Sequence, residues 1–288
     1  MRDERIADWA VARSDKWRLQ LDGLEAMLTP IDAPLIRALE ATVPCRIADV
    51  GCGGGATTLA IVRGAPRGSV GHGFDVSPAL VDVARRRGRT SDLAVQFEVA
   101  DMGTAVPPDG PYERLVSRLG VMFFSDPDAA FVNLRRWLAP GGRFAFAVWG
   151  PLADNEWMAT TRDAVAHVID LPPMDAAAPG PFRYADTAPL VSLLKRAGFG
   201  GIRVSDWRGA LPIGGGLGAA DAARFALAAF SSFAECLSDA GGDALDRAQR
   251  ALTSRLARCE RDGAVLMDAR VHIISGLAEH SRSVAIRR

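Results

Sequence analysis

Three carboxylates stand at or beside the ends of short apolar runs and are the residues most able to do chemistry. They are Asp49 in Arg46-Ile-Ala-Asp-Val-Gly-Cys-Gly-Gly-Gly-Ala56, Asp75 in Gly73-Phe-Asp-Val-Ser77, and Asp101 in Phe97-Glu-Val-Ala-Asp-Met102. Glycines at 51 and 53 permit backbone angles and a close ligand approach that a side chain blocks, so a ligand is expected against this backbone. The run Gly51 to Ala56 also satisfies the dinucleotide pattern G-x-G-x-x-A, and Asp75 lies 24 residues beyond the first glycine (75 minus 51), where a ribose-binding acid is expected. Taken alone, the loop is ambiguous. Asp49 narrows the choice, because a negative charge just before the loop suits a cationic ligand and repels a pyrophosphate, favouring a cofactor that bears an amino acid. Asp75 can accept from two ribose hydroxyls, and Asp101 from an exocyclic adenine amine while Met102 packs on the ring.

The elements that must position these acids follow from the spacing of apolar residues. From Cys45 onward, strands at 46–50, 69–75, 94–99, 113–118 and 143–149 alternate with helices at 56–63, 78–88 and 127–138. Strands joined by helical crossovers demand a mainly parallel sheet covered on both faces, which is a doubly wound α/β architecture. Ahead of it, Ile6, Trp9, Ala10 and Arg13, then Trp17, Leu21 and Leu24, recur at helical spacing and predict a helical N-terminal arm over 1–43, broken near Thr29-Pro30. Beyond it come a lid-like insertion at 151–184 with a helix over 155–169, a helix over 187–198 closed by Gly198, and a strand at 201–208. A second helical insertion at 210–262, with helices near 220–237 and 243–261, precedes a last strand, Val265 to Ser275. The expected division is an arm (1–43), a binding core (44–150) and the rest of the sheet with its insertions (151–288), all in one integrated domain.

Four motifs in this order resemble the class I S-adenosylmethionine-dependent methyltransferases, particularly the small-molecule branch similar to the ubiquinone and menaquinone biosynthesis enzymes. They are D-x-G-x-G at Asp49 to Gly53, G-x-D at Gly73 to Asp75, A-D-M at Ala100 to Met102, and Leu-Ala-Pro-Gly-Gly-Arg at 138 to 143. The segment Ser117-Arg-Leu-Gly-Val-Met-Phe-Phe-Ser-Asp-Pro127 is similar to the loop after the fourth strand in that branch. The likeness covers about residues 44 to 150. It implies a Rossmann-like sheet of seven strands with the last antiparallel, and S-adenosylmethionine as cofactor with S-adenosylhomocysteine as product. Asp49, Gly51, Cys52 and Gly53 would hold the methionine end, Asp75 and Val76 the ribose, and Asp101 and Met102 the adenine. Ser117 and Arg118 would stand near the cofactor.

The implied reaction is transfer of a methyl group in line to an oxygen, carbon or nitrogen of a small lipophilic molecule, for which alignment and exclusion of water matter more than a base. Should a proton need removing, His167 and Tyr184 are the candidates, with Arg118 available to orient the acceptor. Trp17, Phe124, Trp149 and Phe182 are candidates for an apolar substrate chamber. His72, His272 and His280 read as structural or surface residues. A cyclase or rearrangement enzyme that keeps the cofactor without methyl transfer is the alternative, and a dehydrogenase is disfavoured by Asp49, by Asp101 and by the lack of a Tyr-x-x-x-Lys set.

Composition agrees with a small-molecule enzyme. The 34 basic and 34 acidic side chains balance, so no basic field attracts nucleic acid. Cys45, Cys52, Cys236 and Cys259 form no C-x-x-C pair and no metal-ligand spacing, so neither a metal site nor a disulfide framework is expected. The first seventeen residues mix both charge signs without the apolar core of a secretory signal, and no apolar run reaches membrane-span length, so a reducing cytoplasm is expected. The acceptor and the oligomeric state are not written in the sequence.

Overall fold

The computed structural model describes residues 17–108, 110–175, 177–230 and 232–279. The N-terminal helical spacing through Trp9 and Arg13, and His280, lie outside these residues. The described chain forms two compact units. One contains the segment up to Ala33, Trp149–Ala178 and Asp206–Val271, and the other contains Pro34–Val148, Pro179–Ser205 and the segment from His272.

Most of the sheet predicted from the alternating runs lies in the second unit. After helices α1 (Leu21–Leu28) and α2 (Asp32–Leu39), the chain continues through β1 (Arg46–Val50), α3 (Ala56–Gly64), β2 (Val70–Asp75), α4 (Pro78–Arg89), β3 (Val95–Val99), β4 (Tyr112–Arg118), α5 (Pro127–Trp137) and β5 (Leu138–Trp149). The later elements are α6 (Glu156–Ala166), α7 (Ala188–Arg196), β6 (Phe199–Pro212), α8 (Ala219–Ala229), α9 (Phe233–Asp239), α10 (Ala244–Leu256), β7 (Glu260–Arg261) and β8 (Ala264–Ala278). The strand order is β3-β2-β1-β4-β5-β8-β6, with the two-residue β7 paired to β8. Strands β1 to β5 pair in parallel, with Asp49 opposite Gly73 and Val116, and Asp75 opposite Val99. The Glu279 N–H donates to the Gly198 carbonyl at 3.1 Å and the Ser205 hydroxyl to the Ile273 carbonyl at 3.5 Å, so rising numbers on β6 meet falling numbers on β8. β8 is the antiparallel strand expected at Val265 to Ser275.

Short polar residues start the helices that flank the sheet. The Ser77 hydroxyl accepts the Leu80 N–H at 3.3 Å ahead of Pro78 on α4, and Asp126 Oδ1 accepts the Ala129 N–H at 3.0 Å ahead of Pro127 on α5. Each cap contributes about 1 kcal/mol. Gly198 takes φ +91° after α7, the left-handed stop expected of it.

Several boundaries depart from the sequence reading: β6 runs Phe199–Pro212 rather than 201–208, and the helix expected over 243–261 ends at Leu256, ahead of the short strand Glu260–Arg261 that pairs with β8. β5 begins at Leu138 rather than 143, because Leu138 already pairs with Tyr112 before the register shifts around Pro140-Gly141-Gly142. α6 ends at Ala166, three residues short of the expected end, although the Ile169 N–H still donates to the Val165 carbonyl at 3.0 Å. The helix expected over 220–237 is two, α8 and α9. Phe230 turns extended between them (φ −97°, ψ 123°), and its ring lies 4.5 Å from Trp157 and 5.6 Å from Phe225.

Within the first unit, Asn155 organises the chain after β5 and is fully buried. Its Nδ2 donates to the Gly150 and Pro151 carbonyls at 3.1 and 2.9 Å, while Oδ1 accepts from the Trp157 indole at 3.3 Å and the Arg270 N–H at 3.2 Å. Arg270 also pairs with Asp154 at 2.7 Å and Asp206 at 2.5 Å. No described helix is long and apolar enough to cross a membrane.

Candidate cofactor site at the strand ends

Parallel pairing of β1, β2, β3 and β4 brings their C-terminal ends together, so loops far apart in sequence become neighbours. After β1 the chain turns through Gly51, Gly53 and Gly55, with φ of +69°, +54° and +84°. The N–H groups of Gly51 and Cys52 donate to the Phe74 carbonyl at 2.8 and 3.0 Å, which ties the loop to β2. Two of these glycines answer different demands. A Cβ on Gly55 would lie 2.8 Å from the Phe97 ring, whereas a Cβ on Gly53 would meet no atom within 4 Å. Gly55 is therefore shaped by the core beneath it, and Gly53 faces open space above the loop, where a backbone-hugging ligand fits.

Asp75 closes this cradle. Its Oδ2 accepts the Gly53 N–H and its Oδ1 the Ser77 N–H, both at 2.9 Å. Burial pushes its carboxyl above the usual range, outweighing the opposing pull of the Ser77, Gly53 and Val76 N–H groups. Each oxygen retains a second lone pair for a ligand donor. Next to it Val76 is 53% exposed, an apolar side chain held at the surface beside the carboxylate.

Asp49 is placed deeper than the sequence suggests. It is 1% exposed, and its Oδ2 accepts the Thr58 hydroxyl at 2.6 Å, so its charge lies under the loop and braces it against α3. Cys52 is buried, consistent with steric fit. Asp101 is exposed and its Oδ1 accepts the Gly103 N–H at 2.8 Å, forming a tight turn after β3. Met102 is 2% exposed and sits inside the protein, not on an open surface.

The end of β4 supplies the fourth wall. The Ser117 hydroxyl donates to the Val50 carbonyl at 2.7 Å and accepts the Gly120 N–H at 3.2 Å. Arg118 follows, partly buried, and then Leu119 with φ +65°. A non-glycine residue in the left-handed region costs about 1–3 kcal/mol and persists only where its surroundings impose it. Here the Leu119 N–H is held by the Ala147 carbonyl at 3.0 Å.

Several residues essential to this arrangement carry no motif. Thr58 anchors Asp49. Asn133 on α5 donates from Nδ2 to the Met102 and Ala105 carbonyls at 2.9 and 2.7 Å, and the Trp137 indole also donates to Ala105 at 3.0 Å. Arg87 on α4 donates to the Gly54 carbonyl at 2.9 Å.

The other candidates divide between the units. Phe124, Phe182 and Tyr184 belong with the carboxylates in the second unit; Trp17, Trp149 and His167 belong to the first. Trp149 is 5% exposed and its ring is 4.8 Å from Trp157. His167 is exposed, with Nδ1 2.6 Å from the Asp163 carbonyl and 3.3 Å from Arg255 Nη2. His72 is buried with Nδ1 2.8 Å from the Tyr112 hydroxyl, and His272 Nε2 lies 3.1 Å from the Ala185 carbonyl.

Comparison with known proteins meets this geometry at the same residues. Residues 47–142 match the family described as a methyltransferase domain. A demethylmenaquinone methyltransferase from Thermus thermophilus is 34% identical over 38% of this chain and 49% of its own length. A malonyl-[acyl-carrier protein] O-methyltransferase from Geobacter sulfurreducens is 32% identical over 58% of this chain and 60% of its own. The chain thus spans about half the length of the curated relatives it matches. Among solved structures, a Haemonchus contortus phosphoethanolamine N-methyltransferase in complex with phosphomonomethylethanolamine and S-adenosylhomocysteine shares the fold, with a TM-score of 0.53, 15% identity, 90% of this chain covered and 56% of that one. Over residues 47–142 the chain is therefore similar to methyltransferase domains, and it shares the fold of that solved methyltransferase.

Proposed function

We propose that the chain is an S-adenosylmethionine-dependent methyltransferase acting on a small, lipophilic metabolite at oxygen, carbon or nitrogen. The observation that carries this reading is the cradle at Gly53, open above its Cα and closed by the Asp75 carboxylate. When bound, the cofactor supplies a methyl group already activated by a sulfonium. The protein's part is to bind, orient and exclude water. Gly51, Cys52 and Gly53 present backbone to the methionine end, with Asp49 contributing negative charge from below. Asp75 takes the ribose hydroxyls with Val76 against the sugar, and the Asp101 turn, supported through Met102, takes the adenine. Ser117 fixes the loop in which Arg118 stands near the cofactor. Phe124 and Phe182 are apolar groups for the acceptor within the same unit. His167 is exposed and belongs to the first unit, with Nδ1 2.6 Å from the Asp163 carbonyl, and it carries no role in this reading. The demethylmenaquinone in the names of two relatives supports a small acceptor.

Isothermal titration with S-adenosylmethionine, S-adenosylhomocysteine and NADH tests the reading. Binding of the first two alone is expected. Binding of NADH alone would replace it with a dehydrogenase, and binding of none would overturn the cofactor assignment.

A further inference from the structure

Tyr184 is 2% exposed, and its hydroxyl is buried with no hydrogen-bond partner among the described residues. A polar group left this way costs about 1–3 kcal/mol, so its retention calls for a partner. The hydroxyl belongs to a segment lashed to the cofactor side of the second unit. The Gly180 N–H donates to the Met122 carbonyl at 3.2 Å, and Arg183 Nη1 donates to the Phe124 carbonyl at 2.5 Å. Phe124 in turn stands beside the Asp101 turn, since a Cβ on Gly103 would lie 3.5 Å from Phe124 Cδ1 and 2.9 Å from Asp101 Oδ1. The Arg183 guanidinium carbon lies 5.8 Å from the Tyr184 ring centroid. A buried phenol with a cation beside it, two contacts from the candidate adenine turn, has the chemistry of an oxygen-binding site.

We propose that the Tyr184 hydroxyl donates a hydrogen bond to a carbonyl or anionic oxygen of the methyl acceptor, and so selects acceptors that carry one. This rests on the methyltransferase reading above. The residue is then a donor and not the base expected from the sequence. Burial pushes the phenol up from its ordinary value, with Asp128 adding to the rise and Arg183 opposing it, so the proton stays on Tyr184 at neutral pH.

The chain has two tyrosines, Tyr112 and Tyr184, so labelling tyrosine Cζ with carbon-13 yields two resonances that Tyr184→Phe assigns. In protein saturated with S-adenosylhomocysteine, 2-acetonaphthone and 2-naphthoate are expected to shift the Tyr184 resonance, and naphthalene to leave it in place. Tyr184→Phe is expected to weaken binding of the oxygen-bearing probes about tenfold, the size of one hydrogen bond. Its S-adenosylhomocysteine affinity should stay within about twofold and its unfolding midpoint should not fall, since no protein partner is lost. A Tyr184 resonance unmoved by both oxygen-bearing probes, whether they bind elsewhere or not at all, overturns the proposal. So does a lowered unfolding midpoint in Tyr184→Phe, which would reveal a structural partner. Failure of the unmodified protein to bind S-adenosylhomocysteine removes the methyltransferase reading itself and is seen before any probe is added.

Discussion

Gly53 and Gly55 sit two residues apart with similar positive φ, yet substitution should separate them. Alanine at either position carries left-handed strain of about 1–2 kcal/mol. At Gly55 the new methyl also meets the Phe97 ring at 2.8 Å, so overpacking adds about 1–3 kcal/mol. At Gly53 it enters open space. Gly53→Ala is therefore expected to fold and lose S-adenosylhomocysteine binding, whereas Gly55→Ala loses stability first; urea unfolding and calorimetry on each variant check this. Asp75 carries a pH signature. Ribose hydroxyls donate to the ionised carboxylate, so affinity should be full above its raised pKa and decline as the pH falls through it. Asp75→Ala should lose about 1.5–3 kcal/mol of binding together with that acid limb, as measured by titrations at several pH values. The stability contribution runs the other way. Because the folded pKa lies above the unfolded one, it is fully present below the unfolded pKa and is lost as the pH rises through the folded pKa. Gly53 and Asp75 are legible in the sequence because each lies next to a strand end that an apolar run announces.

The loops bind only as well as the elements that hold them. Asn133 projects from α5 to the turn after β3 and satisfies two carbonyls 31 and 28 residues away in sequence. Asn133→Ala should cost about 1–3 kcal/mol of stability by orphaning the Met102 carbonyl, since the Ala105 carbonyl keeps the Trp137 indole, and should weaken adenosine recognition beyond that loss. Binding of adenosine compared with methionine by the variant would reveal it, since loss confined to adenosine identifies the turn. No spacing marked Asn133 or Thr58, because polar residues on amphipathic helices are ordinarily solvent-facing and only tertiary packing turned these two inward. The division of the expected helix at 220–237 has the same origin. Nothing in Phe230 breaks a helix by propensity, and it turns where its ring reaches Trp157.

At the scale of the whole molecule, a ligand that binds only the folded chain adds stability by mass action. S-adenosylhomocysteine at a hundred times its dissociation constant should raise the unfolding free energy by about 2.7 kcal/mol. Hydrogen exchange should slow at 51–55, 75–77, 101–104 and 117–120, all in the second unit. Protection confined to other segments would mean that the ligand sits elsewhere.

The sequence by itself determined the alternation of strands and helices, the parallel sheet, and the glycine loop with acids at three strand ends, since each is a local pattern of period, turn and cap. It also placed the antiparallel β8, through its likeness to a known family. Only the tertiary structure decided that Asp49 lies beneath the loop on Thr58, that Val76 is exposed while Met102 is buried, and that His167 stands in solvent. It decided, too, that the Tyr184 hydroxyl is buried without a hydrogen-bond partner among the described residues. Burial and hydrogen-bond satisfaction depend on which distant segments close over a side chain, and spacing along a chain does not encode that closure.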